Sequence, residues 1–268
     1  MRRALATRTM ALAAAATLAA CAISTQQEVE MGRTYAQQIN AQLPIVQDPE
    51  INRYVNVLGD SIARLADDRN LEWQFYVVNA PEVNAFAVPG GFIYVNRGLI
   101  ERTDNLAQLA GVLGHEIAHV TERHSAQQME QMQRANVGVT LACILTSICQ
   151  SDAAAAAIQV GGAAVFASFS RNDEREADRE AIRNVMRAGI HPQGIPQMFA
   201  KLLEERSRSP AGVEAWFSTH PLEEDRITST QAQIAEIQPI LLEGLTVDTP
   251  AFRQFKARLR SLPAAAAR

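Results

Sequence analysis

From residue 24 onward the apolar positions repeat with two periods. Ile51, Tyr54, Val55, Leu58, Ile62 and Leu65 lie three or four apart, the spacing of one buried helix face. Asp48-Pro49 starts that helix, an N-cap followed by proline, and it should run to about Ala66. Before it, the polar stretch Ser24–Gln42 predicts a short tether and then a first helix docked by Val29, Tyr35 and Ile39. The character changes at Glu72–Asn79, where Trp73, Phe75, Tyr76, Val77 and Val78 predict a strand. Asn84–Val88 and Phe92–Val95 flank Pro89-Gly90-Gly91, a hairpin signal, and Arg97-Gly98 closes the strand region. Helical spacing then returns with Leu109, Val112, Leu113, Ile117 and Val120, in a helix capped at Thr103-Asp104 and ending near His124. Further helices are expected over Ser170–Ala188, Gly194–Arg206, a segment holding Arg226 and Ile227, and Pro250–Ser261. Ser207–Gly212 reads as a polar loop, and the alanine-rich end from about residue 262 as disordered. The pattern predicts an α+β fold, predominantly helical, with a small antiparallel sheet, in one domain over residues 28–268.

The helix through Gly111–Thr121 carries the first chemical signal, His115-Glu116-Ile117-Ala118-His119. Residues four apart share a helix face, so both imidazoles can reach one metal ion, and zinc is the usual one. Zinc lowers the pKa of a bound water to about 7, so a neighbouring carboxylate, here Glu116, can take its proton. A metzincin would need glycine at 122 and histidine at 125, but the chain has Glu122 and Ser125. His124 lies nearly opposite Glu116 on the helical wheel and reads as a surface or end-of-helix residue.

A two-histidine zinc site needs a third protein ligand and an open position. In Ser170–Asp178, Glu174 and Asp178 share a helix face. Glu174 could complete a His₂Glu set, and Asp178 could orient a zinc-bound histidine through its second nitrogen. Glu176 and Arg175 read as solvated charges. His220, before Pro221, could swing in to stabilise an oxyanion or take the open metal position; the alternative is a helix-start histidine satisfied by backbone. His191, also before a proline, reads as structural. A sheet edge beside a metal helix can hold an extended peptide by main-chain pairing.

Composition narrows the function classes. Among 268 residues the net charge is −4, and there are only two lysines, Lys201 and Lys256, so nothing suggests a nucleic-acid partner. Residues 1–20 read as a leader, with Arg2, Arg3 and Arg8 ahead of the apolar run Met10–Ala20, too short to span a bilayer. Without it, 22 basic face 29 acidic residues. Leu18-Ala19-Ala20-Cys21 resembles a bacterial lipobox, which implies lipidation at Cys21 and a tether over residues 21–27. Ala22 after the cysteine implies the outer membrane, facing the periplasm. In that oxidising compartment Cys143 and Cys149 form a candidate disulfide, provided the chain turns between them. Residues 127–169 read as an apolar helical hairpin with its tip near Cys143–Asp152. It is expected to pack on the core or shield the site, with membrane-surface contact as the main alternative.

GHEIAHV at 114–120, SRNDEREAD at 170–178, NAFAVPGGFIYV at 84–95 and STHPLEEDRI at 218–227 together resemble the bacterial periplasmic HtpX/CaaX-protease group of gluzincin metallopeptidases. The resemblance covers roughly residues 28–237 and is nearest to the outer-membrane lipoprotein members of the LoiP/YcaL kind, rather than to members with a C-terminal repeat domain. It implies a zincin-like fold and one zinc ion held by His115, His119 and Glu174. It also implies Glu116 as general base, Asp178 as a supporting acid, and His220 near or on the metal in a closed state. The strand over Asn84, Ala85, Phe86 and Ala87 would be the substrate-binding edge. The implied activity is endopeptidase cleavage of misfolded or misassembled envelope proteins, alongside the outer-membrane assembly machinery. The other reading is a chaperone or assembly factor with latent proteolysis, motivated by the apolar hairpin and the edge strand.

Overall fold

The computed structural model describes residues 23–131, 168–221 and 224–263. The leader, Cys21, Cys143, Cys149, the body of the 127–169 hairpin and the last five residues lie outside the described residues.

The described chain folds as α1 (Thr25–Gln42), α2 (Pro49–Ala66), β1 (Gln74–Val78), β2 (Ala85–Val88), β3 (Phe92–Asn96), α3 (Arg97–Arg102) and α4 (Leu106–Thr121). After residue 168 come α5 (Arg171–Arg187), α6 (Gly194–Arg208), α7 (Pro210–Thr219), α8 (Glu224–Ala235) and α9 (Pro250–Ser261). Among the described residues no helix is long and apolar enough to cross a membrane.

Local chemistry fixes the helix starts. The Asp48 carboxylate accepts from the N–H groups of Glu50 and Ile51, as its place before Pro49 predicts. Ser24 and Gln27 form a reciprocal capping box, so α1 begins at Thr25 and the expected tether over 21–27 is cut short. The cap of α4 is Asn105 rather than Thr103-Asp104, because the Asn105 side chain reaches the Gln108 N–H. The expected loop over Ser207–Gly212 is instead a tight junction. α6 continues to Arg208, and Pro210, suited to a first helical turn, opens α7.

The sheet has the order β1-β3-β2 and is mixed. The hairpin expected from Pro-Gly-Gly is antiparallel, with Ala85 opposite Val95 and Val88 opposite Phe92. Gly90 and Gly91 take φ of +84° and +100° in its turn, a region closed to most side chains. β1 joins the other side of β3 in parallel, with Gln74 opposite Phe92, so the all-antiparallel expectation holds only for the hairpin. The reason is the link after β1, which carries the chain past the place taken by β3 before β2 begins. The outer side of β1 is covered by an antiparallel bridge from Ile45 to Val78. β2 is therefore the edge strand lying on α4.

α4 is the axis of the core. Every residue from Leu106 to Val120 is buried, and α2, α5, α6 and β2 surround it. Gly111 makes the close crossing of α6 feasible, since a Cβ there would meet Ile195 Cγ1 at 2.8 Å. A helix buried on all sides must satisfy its polar side chains internally, which directs attention to His115, Glu116 and His119.

Candidate metal centre

α4 turns His115 and His119 to one side, and their Nε2 atoms lie 3.0 Å apart. The capping box of Ser170 and Asp173 fixes the first turn of α5 and delivers Glu174 to the same point. Glu174 Oε1 is 3.3 Å from His119 Nε2, and Oε2 is 3.5 Å from His115 Nε2. His220, the C-cap of α7, brings Nδ1 to 3.1 Å from Glu174 Oε1 and 3.4 Å from His115 Nε2. One atom from each of His115, His119, Glu174 and His220 lies within 4.8 Å of the other three, and all four residues are buried. A tetrahedral zinc ion with nitrogen and oxygen ligands at their usual bond lengths separates its donors by about 3.3 Å. The closest pairs here fall around that value, so this donor set fits zinc.

Glu116 is fully buried next to the cluster, with Oε1 3.4 Å from His220 Nε2. Apart from a weak backbone interaction with Ala87 of β2, its carboxylate has no well-aligned donor among the described residues. Burial raises its pKa above the usual carboxylate range, with His220 and His115 pulling the other way.

Behind the cluster sits a residue whose role sequence reasoning did not assign. Arg226 of α8 is buried, donates from Nε to Asp178 Oδ2 at 2.8 Å and from Nη2 to Asp178 Oδ1 at 2.6 Å, and also reaches Glu174. Its guanidinium lies over the Phe199 ring. Asp178 Oδ1 in turn lies 3.0 Å from His115 Nδ1, close in distance though bent from a straight hydrogen bond. Burial pulls the His115 imidazole down, but Asp178 and Glu174 outweigh it and raise it to about 9. For Glu174 the sign reverses. Burial pushes the carboxyl up, while His220, His115 and His119 carry it well below its ordinary value. His119 is driven well below the ordinary histidine range, chiefly by burial.

His124 is not at the surface. It is 1% exposed, and its Nδ1 lies 2.9 Å from His119 Nδ1. The α4 helix stops at Thr121, and Arg123 takes a left-handed φ of +61°, which folds His124 back under His119. Helical-wheel reasoning assumed a continuous helix and missed this break; the left-handed arginine leaves no sequence signal. Glu176, expected to be solvated, is 44% exposed and has Oε2 3.5 Å from His124 Nε2. Arg175 pairs with Asp225 on the exposed side of α5, in keeping with its reading. His191 Nδ1 accepts from the Gln193 N–H, a local structural role.

The candidate substrate strand also lies beside the cluster. Ala85 and Ala87 are buried, Asn84 and Phe86 are half-buried, and Phe86 stacks on Tyr94. The edge is held in place where the Val83 N–H donates to the Gly212 carbonyl at the start of α7.

A buried His-His-Glu set on crossing helices, with a carboxylate beside it and an edge strand along one wall, defines the class as metallopeptidase. Residues 48–234 match peptidase family M48, and the chain belongs to that family. It is 35% identical over 230 residues to the beta-barrel assembly-enhancing protease of Yersinia pestis, covering 83% of this chain and 47% of that protein. The same-named protein of Escherichia coli strain K12 is 34% identical over 235 residues, 85% of this chain and 48% of that one. The mitochondrial metalloendopeptidase OMA1 of Schizosaccharomyces pombe is 30% identical over 197 residues, 69% of this chain and 53% of that protein. The chain thus spans about half the length of these relatives.

Proposed function

We propose that the chain is a zinc endopeptidase of the bacterial envelope that cleaves misfolded or misassembled outer-membrane and periplasmic proteins. The observation that carries the reading is the convergence of His115, His119 and Glu174 beside the buried Glu116. These three residues would hold the ion, and His220, whose ligand atom lies in the same cluster, would take the fourth position in a closed state. Zinc, when bound, supplies Lewis acidity toward a peptide carbonyl and makes water acidic near neutral pH. Glu116 takes the proton of the attacking water and passes it to the leaving amine; its raised pKa suits a group that must both accept and return a proton. Asp178, clamped by Arg226 behind His115, acts as a positioning residue for that histidine. His220 is the C-cap of α7, at the point where the chain leaves the helix, so a change at that junction would carry its ring out of the cluster when a substrate carbonyl enters. It then lies in reach of the developing oxyanion. The β2 edge at Asn84, Ala85, Phe86 and Ala87 would pair with an extended substrate.

The substrate class rests on the names of the bacterial relatives, which pair proteolysis with β-barrel assembly. Placement at the periplasmic face of the outer membrane, through a lipid on Cys21, rests on the lipobox-like sequence. Kinship to the lipoprotein members of the LoiP/YcaL kind rests on the same segment. Glu116→Gln is expected to lower cleavage of an unfolded envelope protein by about 10²- to 10⁴-fold while zinc content stays the same. Undiminished cleavage would refute the peptidase reading. The second reading, an assembly factor with latent proteolysis, is favoured by His220 lying inside the donor cluster. It predicts that Glu116→Gln still rescues a deletion strain.

A further inference from the structure

We propose that His124 is a positioning residue that fixes His119 in its metal-ready tautomer; this rests on the zinc reading above. Four nitrogens and one carboxylate form a chain of hydrogen-bond roles. Nε2 of His119 faces Glu174 and His115, so it is the nitrogen that would meet the ion and must be free of hydrogen. A neutral imidazole with a bare Nε2 carries its proton on Nδ1. The neighbour of that Nδ1 is His124 Nδ1 at 2.9 Å, which must therefore accept. A neutral His124 that accepts at Nδ1 carries its proton on Nε2, and that atom faces Glu176 Oε2 at 3.5 Å. The relay His119–His124–Glu176 thus has one self-consistent set of protons, and it leaves the lone pair pointing at the metal. The opposite set would place a proton on His119 Nε2, inside the donor cluster.

The fold holds this relay in place. Phe169 stacks on His119 with ring centroids 3.9 Å apart, which limits rotation of the ligand ring. Arg123 takes its left-handed φ at the turn that redirects the chain, a conformation that disfavours a side chain with a Cβ and persists only when surroundings enforce it. Here they do. Arg123 Nε donates to Glu28 Oε2 at 2.9 Å, and Glu28, 1% exposed, also accepts from Arg69 Nη1 at 3.1 Å. Arg69 Nη2 caps the end of α4 at the Val120 carbonyl, 2.7 Å away. Helix α1 thereby clamps the turn that presents His124.

The test compares His124→Phe, which keeps a ring but has no acceptor, with His124→Asn, whose amide can accept near the Nδ1 position. Zinc affinity of the full chain is measured by competition with a chromophoric chelator, beside the melting temperature of the zinc-free protein. His124→Phe should weaken zinc binding about 10- to 100-fold, and His124→Asn should restore it to within about threefold of the parent. Nitrogen-15 imidazole spectra of the zinc-loaded parent should show the His119 proton on Nδ1. Parent-like affinity in His124→Phe would overturn the proposal. So would equal weakening in both variants that tracks a lowered zinc-free melting temperature, because that is the signature of packing alone. A parent chain that binds no zinc would overturn the metal reading itself, which separates the two failures.

Discussion

The two metal-facing histidines are four residues apart on one helix, yet their outer nitrogens meet opposite environments. Behind His115 stands a carboxylate, Asp178, held by two hydrogen bonds from the buried Arg226. Behind His119 stands a neutral partner, His124, and beyond it the half-exposed Glu176. The electrostatic result differs in sign. His115 is lifted to about 9 despite complete burial, while His119 falls well below the ordinary range. Glu174 touches both rings, so the difference comes from elsewhere: Asp178 adds a second carboxylate to His115, while repulsion from His115 and His220 adds to the burial that lowers His119. One flank is an ionic clamp, and the other is a tautomer relay.

Arg226 carries the largest difference between the two flanks. Arg226→Met leaves Asp178 and Glu174 as buried charges without their cation, which should cost about 3–5 kcal/mol of stability in urea unfolding of the zinc-free protein. A loss below about 1 kcal/mol, the scale of an exposed pair, would show that the clamp is not ionic. Next in size, Asp178→Asn should weaken zinc binding about 10- to 100-fold, read by chelator competition. A third effect is proton release. With a pKa of about 9, His115 carries a proton near neutral pH in the zinc-free protein and must lose it on binding. Calorimetry in buffers of different ionisation enthalpy should detect that proton, and Asp178→Asn should reduce the signal by lowering the imidazole toward its ordinary range. The smallest effect belongs to Glu176→Gln. Its carboxylate is 44% exposed and its contact is long, so zinc affinity should change by no more than about threefold.

Much of the site was legible along the chain because its signals are local. The i, i+4 spacing on a helix set His115 and His119 side by side, and the same spacing paired Glu174 with Asp178. The Pro-Gly-Gly turn gave the β2–β3 hairpin beside that helix. His220 stood out by its place before Pro221, the resemblance set it near the metal, and the structure brings it into the cluster. What stayed hidden depends on contacts between distant segments. Arg226 stood inside a quoted motif, but its service to Asp178, 48 positions away, needs α8 to cross α5. His124 was misplaced because a wheel projection carries the helix past Thr121, whereas the left-handed Arg123, held by the distant Glu28, turns the chain there. The parallel pairing of β1 was hidden likewise, since the strand pattern is the same whichever neighbour it takes.

The helical skeleton, the hairpin and the candidate metal ligands were written along the chain, because capping, periodicity and ligand spacing act within a few residues. Tertiary structure alone decided which nitrogen of each histidine faces inward, which charges neutralise one another, and where the metal helix ends. Those outcomes depend on burial and on partners from other helices. Burial makes the wrong pairing costly, so the packed fold permits one arrangement where the unfolded chain had many.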